Sequence, residues 1–120
     1  DGIVLEDADS TDTVVKLYES TDDGVINVYA NNTVTSRIHG NGTSFIGGAL
    51  NITGSVLPGD DISYNLGSSE KRWANIFTGD LHLRNDRGDW TIIEEREYLS
   101  VRNNLTGKVY KMVLEPITEE

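Results

Sequence analysis

The 120-residue sequence contains no cysteine, so no disulfide bond can brace its fold and no thiolate can ligate a metal ion. Large apolar side chains are also scarce: 8% of the residues are aromatic and only one is methionine. A chain of this length with so little apolar material would have a thin core on its own. We therefore expect burial to be shared with identical neighbouring chains.

Basic residues are few as well, with ten lysines and arginines against twenty aspartates and glutamates, for a net charge of −10. Binding to nucleic acid or to an anionic membrane surface requires a basic surface, so neither is expected as a partner. No apolar run approaches the roughly 18–20 residues of a membrane span, so membrane insertion is not expected either. The charge is uneven, because residues 1–70 contain two of the ten bases, and this predicts two segments with different surfaces.

The sequence does contain many short β-branched runs separated by Gly, Asn and Asp, a pattern typical of brief strands joined by tight turns. Helical periodicity is almost absent. The predicted strands cover residues 13–19, 25–30, 33–39, 43–46 and 50–56, and then 80–84, 89–95, 97–102 and 108–114. The predicted turns cover residues 21–24, 31–32, 40–42, 47–48, 85–88 and 103–107. These elements predict an all-β fold that ends in a C-terminal β-hairpin pair or β-meander.

Pro58 and Gly59 interrupt the pattern and predict a joint between two β-rich segments. A short helix is predicted over residues 68–78, with Ser68 as its N-cap and Gly79 as its stop. Its apolar residues at i, i+3 and i+4 spacing are Trp73, Ile76 and Phe77. The predicted organisation is a β-rich segment over residues 1–56, the joint over 57–79 and a C-terminal hairpin or meander domain over 80–120.

Candidate chemical motifs do not predict a catalytic, cofactor or metal site. Asp7, Asp9 and Asp12 lack the turn glycine and closing glutamate of a calcium loop, and a solvated acidic turn is the simpler interpretation. The acid pairs at 22–23 and 60–61 stand beside glycine and favour Asx-turns. In a strand, His82 would point to the face opposite Leu81 and Leu83. There it is expected to be a surface or hydrogen-bonded histidine; the alternative is that three copies meet on an axis and bind an ion or respond to pH.

One segment carries a family resemblance. Residues 65–77, NLGSSEKRWANIF, resemble the LGSSxxRWxxIY-type segment of tail-fibre and other structural fibre proteins of tailed bacteriophages. Residues 79–95, GDLHLRNDRGDWTIIEE, and 98–104, YLSVRNN, are similar to the C-terminal part of such proteins in marine phages, particularly those of cyanobacteria. The resemblance covers roughly residues 60–115, and residues 23–32 are similar to fibre shafts more weakly.

The resemblance implies an elongated homotrimeric fibre on the virion surface, bound to other virion structural proteins and meeting a host-surface glycan or protein. In such a fibre, residues 1–56 would be a shaft segment and residues 80–120 a tip domain. Two arrangements of the apolar side chains remain open: they converge on the threefold axis, or they cover the sheet of their own chain. The candidate trimer-interface residues are Trp73, Ile76, Phe77, Leu81 and Leu83.

A viral structural fibre protein for host attachment is accordingly the predicted function, with no enzymatic activity. The alternatives are a compact carbohydrate-binding or adhesin module and a tailspike-type depolymerase fragment. Tyr64, Trp90 and Tyr98 are candidates for stacking on a glycan, although tyrosine and tryptophan are equally expected in cross-strand packing. Because the chain begins Asp1-Gly2 without a methionine, we expect a piece of a longer protein.

Overall fold

The computed structural model describes residues 2–118, and within that range the chain is all-β with no helix. It divides into two units, Asp1–Val56 and Leu57–Glu120. The strands of the first unit are β1 (Gly2–Glu6), β2 (Thr13–Ser20), β3 (Asp23–Ala30), β4 (Thr33–His39) and β5 (Phe45–Ile46). Those of the second are β6 (Leu81–Arg84), β7 (Asp89–Glu94), β8 (Leu99–Asn103) and β9 (Val109–Lys111).

Each unit contains one antiparallel sheet in which every strand pairs with the next strand along the chain. The strand orders are β1-β2-β3-β4-β5 and β6-β7-β8-β9. The predicted C-terminal meander is confirmed. Such local pairing follows from the short turns, since strands joined by a few residues become antiparallel neighbours.

Two-residue turns connect the three central strands of the first sheet. Thr21 and Asp22 have φ of 55° and 66°, and Asn31 and Asn32 have φ of 50° and 58°. Positive φ at both central residues is the requirement of a type I′ turn, whose twist matches that of the flanking strands. The turns predicted at 21–24 and 31–32 are therefore present, although Asp23 already belongs to β3.

Eight of the nine predicted strands match observed ones, with ends shifted by a few residues, whereas one predicted strand and the predicted helix need correction. Residues 47–56 form no strand, so the strand predicted at 50–56 is wrong. The ladder of the first sheet stops at Gly47, whose N–H donates to Ser36 Oγ at 3.3 Å, and no further strand pairs beyond β5. Strand β1 was missed, although its apolar run Ile3-Val4-Leu5 is a usable signal.

The helix predicted over residues 68–78 is also wrong. Ser68 Oγ accepts the N–H of Lys71 at 3.0 Å, as an N-cap would. However, the Ser68 N–H donates to the carbonyl oxygen of Lys71 at 2.9 Å, so the chain reverses in a turn instead of winding into a helix. Trp73, Ile76 and Phe77 are all exposed, and without a buried face a two-turn helix is unstable.

Very little apolar surface is buried. Among the described residues, Val25 is the only buried hydrophobic side chain, at 3% exposure. The accessible surface of the chain is 11087 Å², whereas a compact monomer of 13.2 kDa would expose about 6,400 Å². The chain therefore exposes about 4,700 Å² more than a self-sufficient folded protein of its mass.

Candidate functional site

One face of the first sheet is covered by hydrogen-bonded polar side chains. Asn27 is buried at its centre, and its Nδ2 donates to the hydroxyl oxygens of Tyr18 at 3.3 Å and Tyr29 at 3.4 Å. Arg37 Nε donates to Asn27 Oδ1 at 2.8 Å. These four residues, which we call the network face, lie on three adjacent strands, and together they satisfy the buried amide.

The opposite face of the same sheet is aliphatic and open. Side chains alternate between faces along a strand, and residues directly opposite each other on neighbouring strands share a face. The register therefore places eight aliphatic side chains and Ser36 in two rows, which we call the aliphatic face. The first row is Ile3, Leu17, Ile26 and Ile38, and the second is Leu5, Val15, Val28, Ser36 and Ile46. None of these side chains is buried.

The second sheet repeats this arrangement. Its polar face contains two buried side chains, Thr91 and Ser100. Asn104 Nδ2 donates to Thr91 Oγ1 at 2.9 Å and to Asp89 Oδ1 at 2.8 Å, and Ser100 Oγ donates to Glu95 Oε1 at 3.0 Å. His82 Nδ1 lies 3.2 Å from Thr91 Oγ1, on the face opposite Leu81 and Leu83 as the strand pattern predicts.

Two of the candidate interface residues, Leu81 and Leu83, lie on the apolar face of this second sheet. The register puts Leu81 in a row with Ile92, Val101 and Tyr110. Leu83 is opposite Trp90, whose ring centroid is 6.1 Å from that of Tyr110. Leu81, Leu83 and Tyr110 remain exposed, so this face is only partly covered by its own chain.

The other three candidates, Trp73, Ile76 and Phe77, lie in the segment 47–80, where the structure has no strand and every side chain is exposed. Trp73 is 63% exposed and Phe77 is 96% exposed. The structure therefore does not enclose them within their own chain. The structure also leaves the aliphatic face open. This face was not predicted from the sequence, although the i, i+2 spacing of Ile3 and Leu5 indicates it.

Of the candidates for glycan stacking, Trp90 lines a shallow cleft of about 230 Å³ at the β6–β7 turn. The other side chains lining it are Leu83, Arg84, Asn85 and Arg87, beside Gly88. Tyr98 and Tyr64 are exposed, and Lys111 Nζ lies 4.9 Å from the ring centroid of Tyr98. The cleft thus combines one indole with two guanidinium groups.

The acidic cluster of Asp7, Asp9 and Asp12 forms a turn. Asp7 Oδ1 accepts the N–H of Asp9 at 3.2 Å, and the Asp7 N–H donates to the carbonyl oxygen of Asp12 at 2.9 Å, which closes the β1–β2 connection. Asp12 Oδ1 also accepts Asn32 Nδ2. Within residues 2–118, no group of three or more His, Cys, Asp or Glu side chains is placed to hold a metal ion.

In the same part of the chain, no helix is long and apolar enough to cross a membrane. No protein-family model, curated protein or solved structure matches the chain.

Proposed function

We propose that this chain is a segment of a virion fibre protein of a tailed bacteriophage, from the tail or another virion fibre, and that three copies form a rod for host attachment. One observation carries the proposal: among the described residues, Val25 is the only hydrophobic side chain that a single copy buries. The sequence likeness of residues 65–77 and 79–104 to bacteriophage fibre proteins supports the viral assignment.

This burial pattern supports the proposed assembly. Within the described residues, every buried side-chain nitrogen or oxygen has a hydrogen-bond partner, so the polar groups need no further cover. The surface that needs cover is apolar, and it occurs in both sheets and in the segment between them. The excess exposure of about 4,700 Å² is several times the roughly 800 Å² that each partner buries in a standard interface, so one copy has enough surface for contacts with two others.

Within the proposed rod, Trp73, Ile76, Phe77, Leu81 and Leu83 contact the equivalent residues of the other two copies. Each large side chain that becomes buried contributes about 1.5–3 kcal/mol. The proposed partners are two further copies, other virion structural proteins and a host-surface glycan or protein. The chain works by assembly, with no cofactor, no nucleic acid partner and no catalytic step.

The mass of the full chain in solution tests the proposal. Analytical ultracentrifugation is expected to give three times the 13.2 kDa of one copy. A Phe77→Asp variant is expected to shift the mass toward one copy, because three carboxylates would have to be buried together. Thr78→Asp introduces the same charge at the next exposed residue and is the matched control. A wild-type chain that stays monomeric with full β-sheet content contradicts the proposal.

The cleft beside Trp90 favours a second candidate, a compact carbohydrate-binding module. An aromatic ring stacks on the apolar face of a sugar, and Arg84 and Arg87 suit the carboxylate of an acidic sugar. A titration with an acidic oligosaccharide, followed by tryptophan fluorescence, would show a saturable change in a monomeric chain and none in Trp90→Phe. Saturable binding by a monomer would favour this function over the fibre.

A further inference from the structure

We infer that Asn41-Gly42, in the loop between β4 and β5, is a site of spontaneous deamidation, and that its isoaspartate product releases β5 from the first sheet. The modification needs only water, and it does not rest on the proposed trimer. Of the ten asparagines in the sequence, Asn41 is the only one that precedes glycine. Because glycine has no Cβ to shield its backbone nitrogen, that nitrogen can approach the preceding side chain.

The reaction joins two groups of adjacent residues. The backbone nitrogen of Gly42 bonds to Cγ of Asn41, water carries its proton to the side-chain amide nitrogen, and that nitrogen leaves as ammonia. Water then opens the resulting cyclic imide at either carbonyl. Opening at Cγ gives aspartate, whereas opening at the original backbone carbonyl gives isoaspartate, in which the main chain runs through the side-chain carbons. One water is consumed and one ammonia is released, with no oxidation or reduction.

The fold leaves these two groups open to react. Asn41 and Gly42 are exposed and lie outside the strands. Within residues 2–118, no hydrogen bond uses the Gly42 N–H or the Asn41 side-chain amide. The pair Asp23-Gly24, which can form the same imide, lies in β3, and the Gly24 carbonyl oxygen accepts the Gly40 N–H at 3.0 Å. The backbone of that pair is therefore held in the sheet.

Glycine at position 42 is a requirement of the loop itself. A Cβ added there would lie 2.8 Å from Nδ1 and 2.9 Å from Cγ of the His39 ring, too close for atoms that are not bonded. Turning the ring aside would break the hydrogen bond in which its Nδ1 accepts the Asn41 N–H at 3.2 Å. The contact that shapes this loop thus selects the residue that makes Asn41 reactive.

Strand β5 is the element that the product affects. It has only two residues, Phe45 and Ile46, which pair with β4. Across the connecting loop, the His39 N–H donates to Ser44 Oγ at 2.9 Å. Isoaspartate in place of Asn41 adds one carbon to the main chain of this loop, so the strands on either side no longer meet in the same register. We therefore expect β5 to detach while β2 and β3 remain paired.

Peptide mapping of the full chain during incubation at neutral pH tests the site. Trypsin releases residues 38–71, which contain Asn41 and, as internal controls, Asn51 and Asn65. We expect a mass gain of about 1 Da that fragmentation assigns to Asn41, at least about tenfold faster than at either control and within about tenfold of the rate in urea. A smaller difference from the controls, or stronger protection by the native fold, overturns the inference.

Hydrogen exchange of the β5 amides tests the consequence. In chains that mapping shows to contain isoaspartate, we expect Phe45 and Ile46 to lose protection and β2 and β3 to keep it. Fresh Asn41→Asp is the matched control, because it adds the same charge to an unaltered main chain, and its β5 should stay protected. Protected β5 in the isoaspartate chains, or lost protection in Asn41→Asp as well, overturns the release. The mass in solution is a separate measurement, so either failure leaves the fibre proposal standing.

Discussion

Arg37 Nε donates a hydrogen bond of 2.8 Å to Oδ1 of Asn27, and this amide is the centre of the covered face of the first sheet. A buried amide in the position where a globular sheet would have an aliphatic residue reverses the usual arrangement. The reversal also occurs in the second sheet, where Thr91 and Ser100 are the buried side chains. Each sheet thus buries polar side chains at the centre of one face and covers the aliphatic side chains of its other face only partly.

Replacing Asn27 with alanine is expected to lower the free energy of unfolding by about 1–3 kcal/mol, because Arg37 Nε and two tyrosine hydroxyls lose their partner. Urea denaturation at a fixed protein concentration measures the change. The control is Asn51→Ala, at an exposed residue outside the strands, with an expected effect within about 0.5 kcal/mol. Equal stability of the two variants would show that the network does not stabilise the sheet.

Asp89 has two partners of different strength. Asn104→Ala is expected to lower the free energy of unfolding by about 1–2 kcal/mol, since its amide bridges Asp89 and buried Thr91. Arg84→Ala is expected to lower the free energy of unfolding by less than about 0.5 kcal/mol. The Arg84 side chain is solvent-exposed, and its Nε lies 3.8 Å from Asp89 Oδ2. Thermal denaturation of both variants makes the comparison, and a larger effect for Arg84→Ala would contradict it.

Thr21→Asn is expected to stabilise the chain by about 1 kcal/mol. Thr21 has φ of 55°, a left-handed conformation that is unfavourable for a β-branched side chain and much less so for asparagine. Thr33→Asn, at the start of β4, provides the same substitution in a strand and is expected to be neutral or destabilising. Denaturation midpoints at equal concentration test the pair, and a destabilising Thr21→Asn would argue against the type I′ turn.

Trp73 is a probe of the proposed assembly. In Trp90→Phe it is the only tryptophan, and in a single chain it is 63% exposed. In the trimer its emission is expected to shift to shorter wavelength and to resist acrylamide quenching, and dilution should reverse both changes. The companion variant Trp73→Phe isolates Trp90, which is already half-buried by its own chain and should change less. Strong quenching of Trp73 in a chain with trimer mass would place it outside the interface.

Local patterns predicted much of the fold. Asp22, Asn31 and Asn32 mark turns because aspartate and asparagine tolerate positive φ, and the β-branched runs on either side form strands. The helix predicted over residues 68–78 does not form. The sequence has a capping residue and helical spacing of apolar residues there, but no other part of the chain packs against them. A strand at residues 50–56 failed similarly, since a strand requires a neighbour and β-propensity alone does not supply one.

The sequence by itself determined the all-β class, most of the turns and the alternation that separates Leu81 and Leu83 from His82. Only the tertiary structure decided which face of each sheet is covered. Asn27 is buried because Tyr18, Tyr29 and Arg37 converge on it from three strands, and that convergence depends on the register between strands. The register is determined by which residues pair across neighbouring strands, and these residues are distant in the sequence. The alternation within one strand indicates only that the two faces of that strand differ.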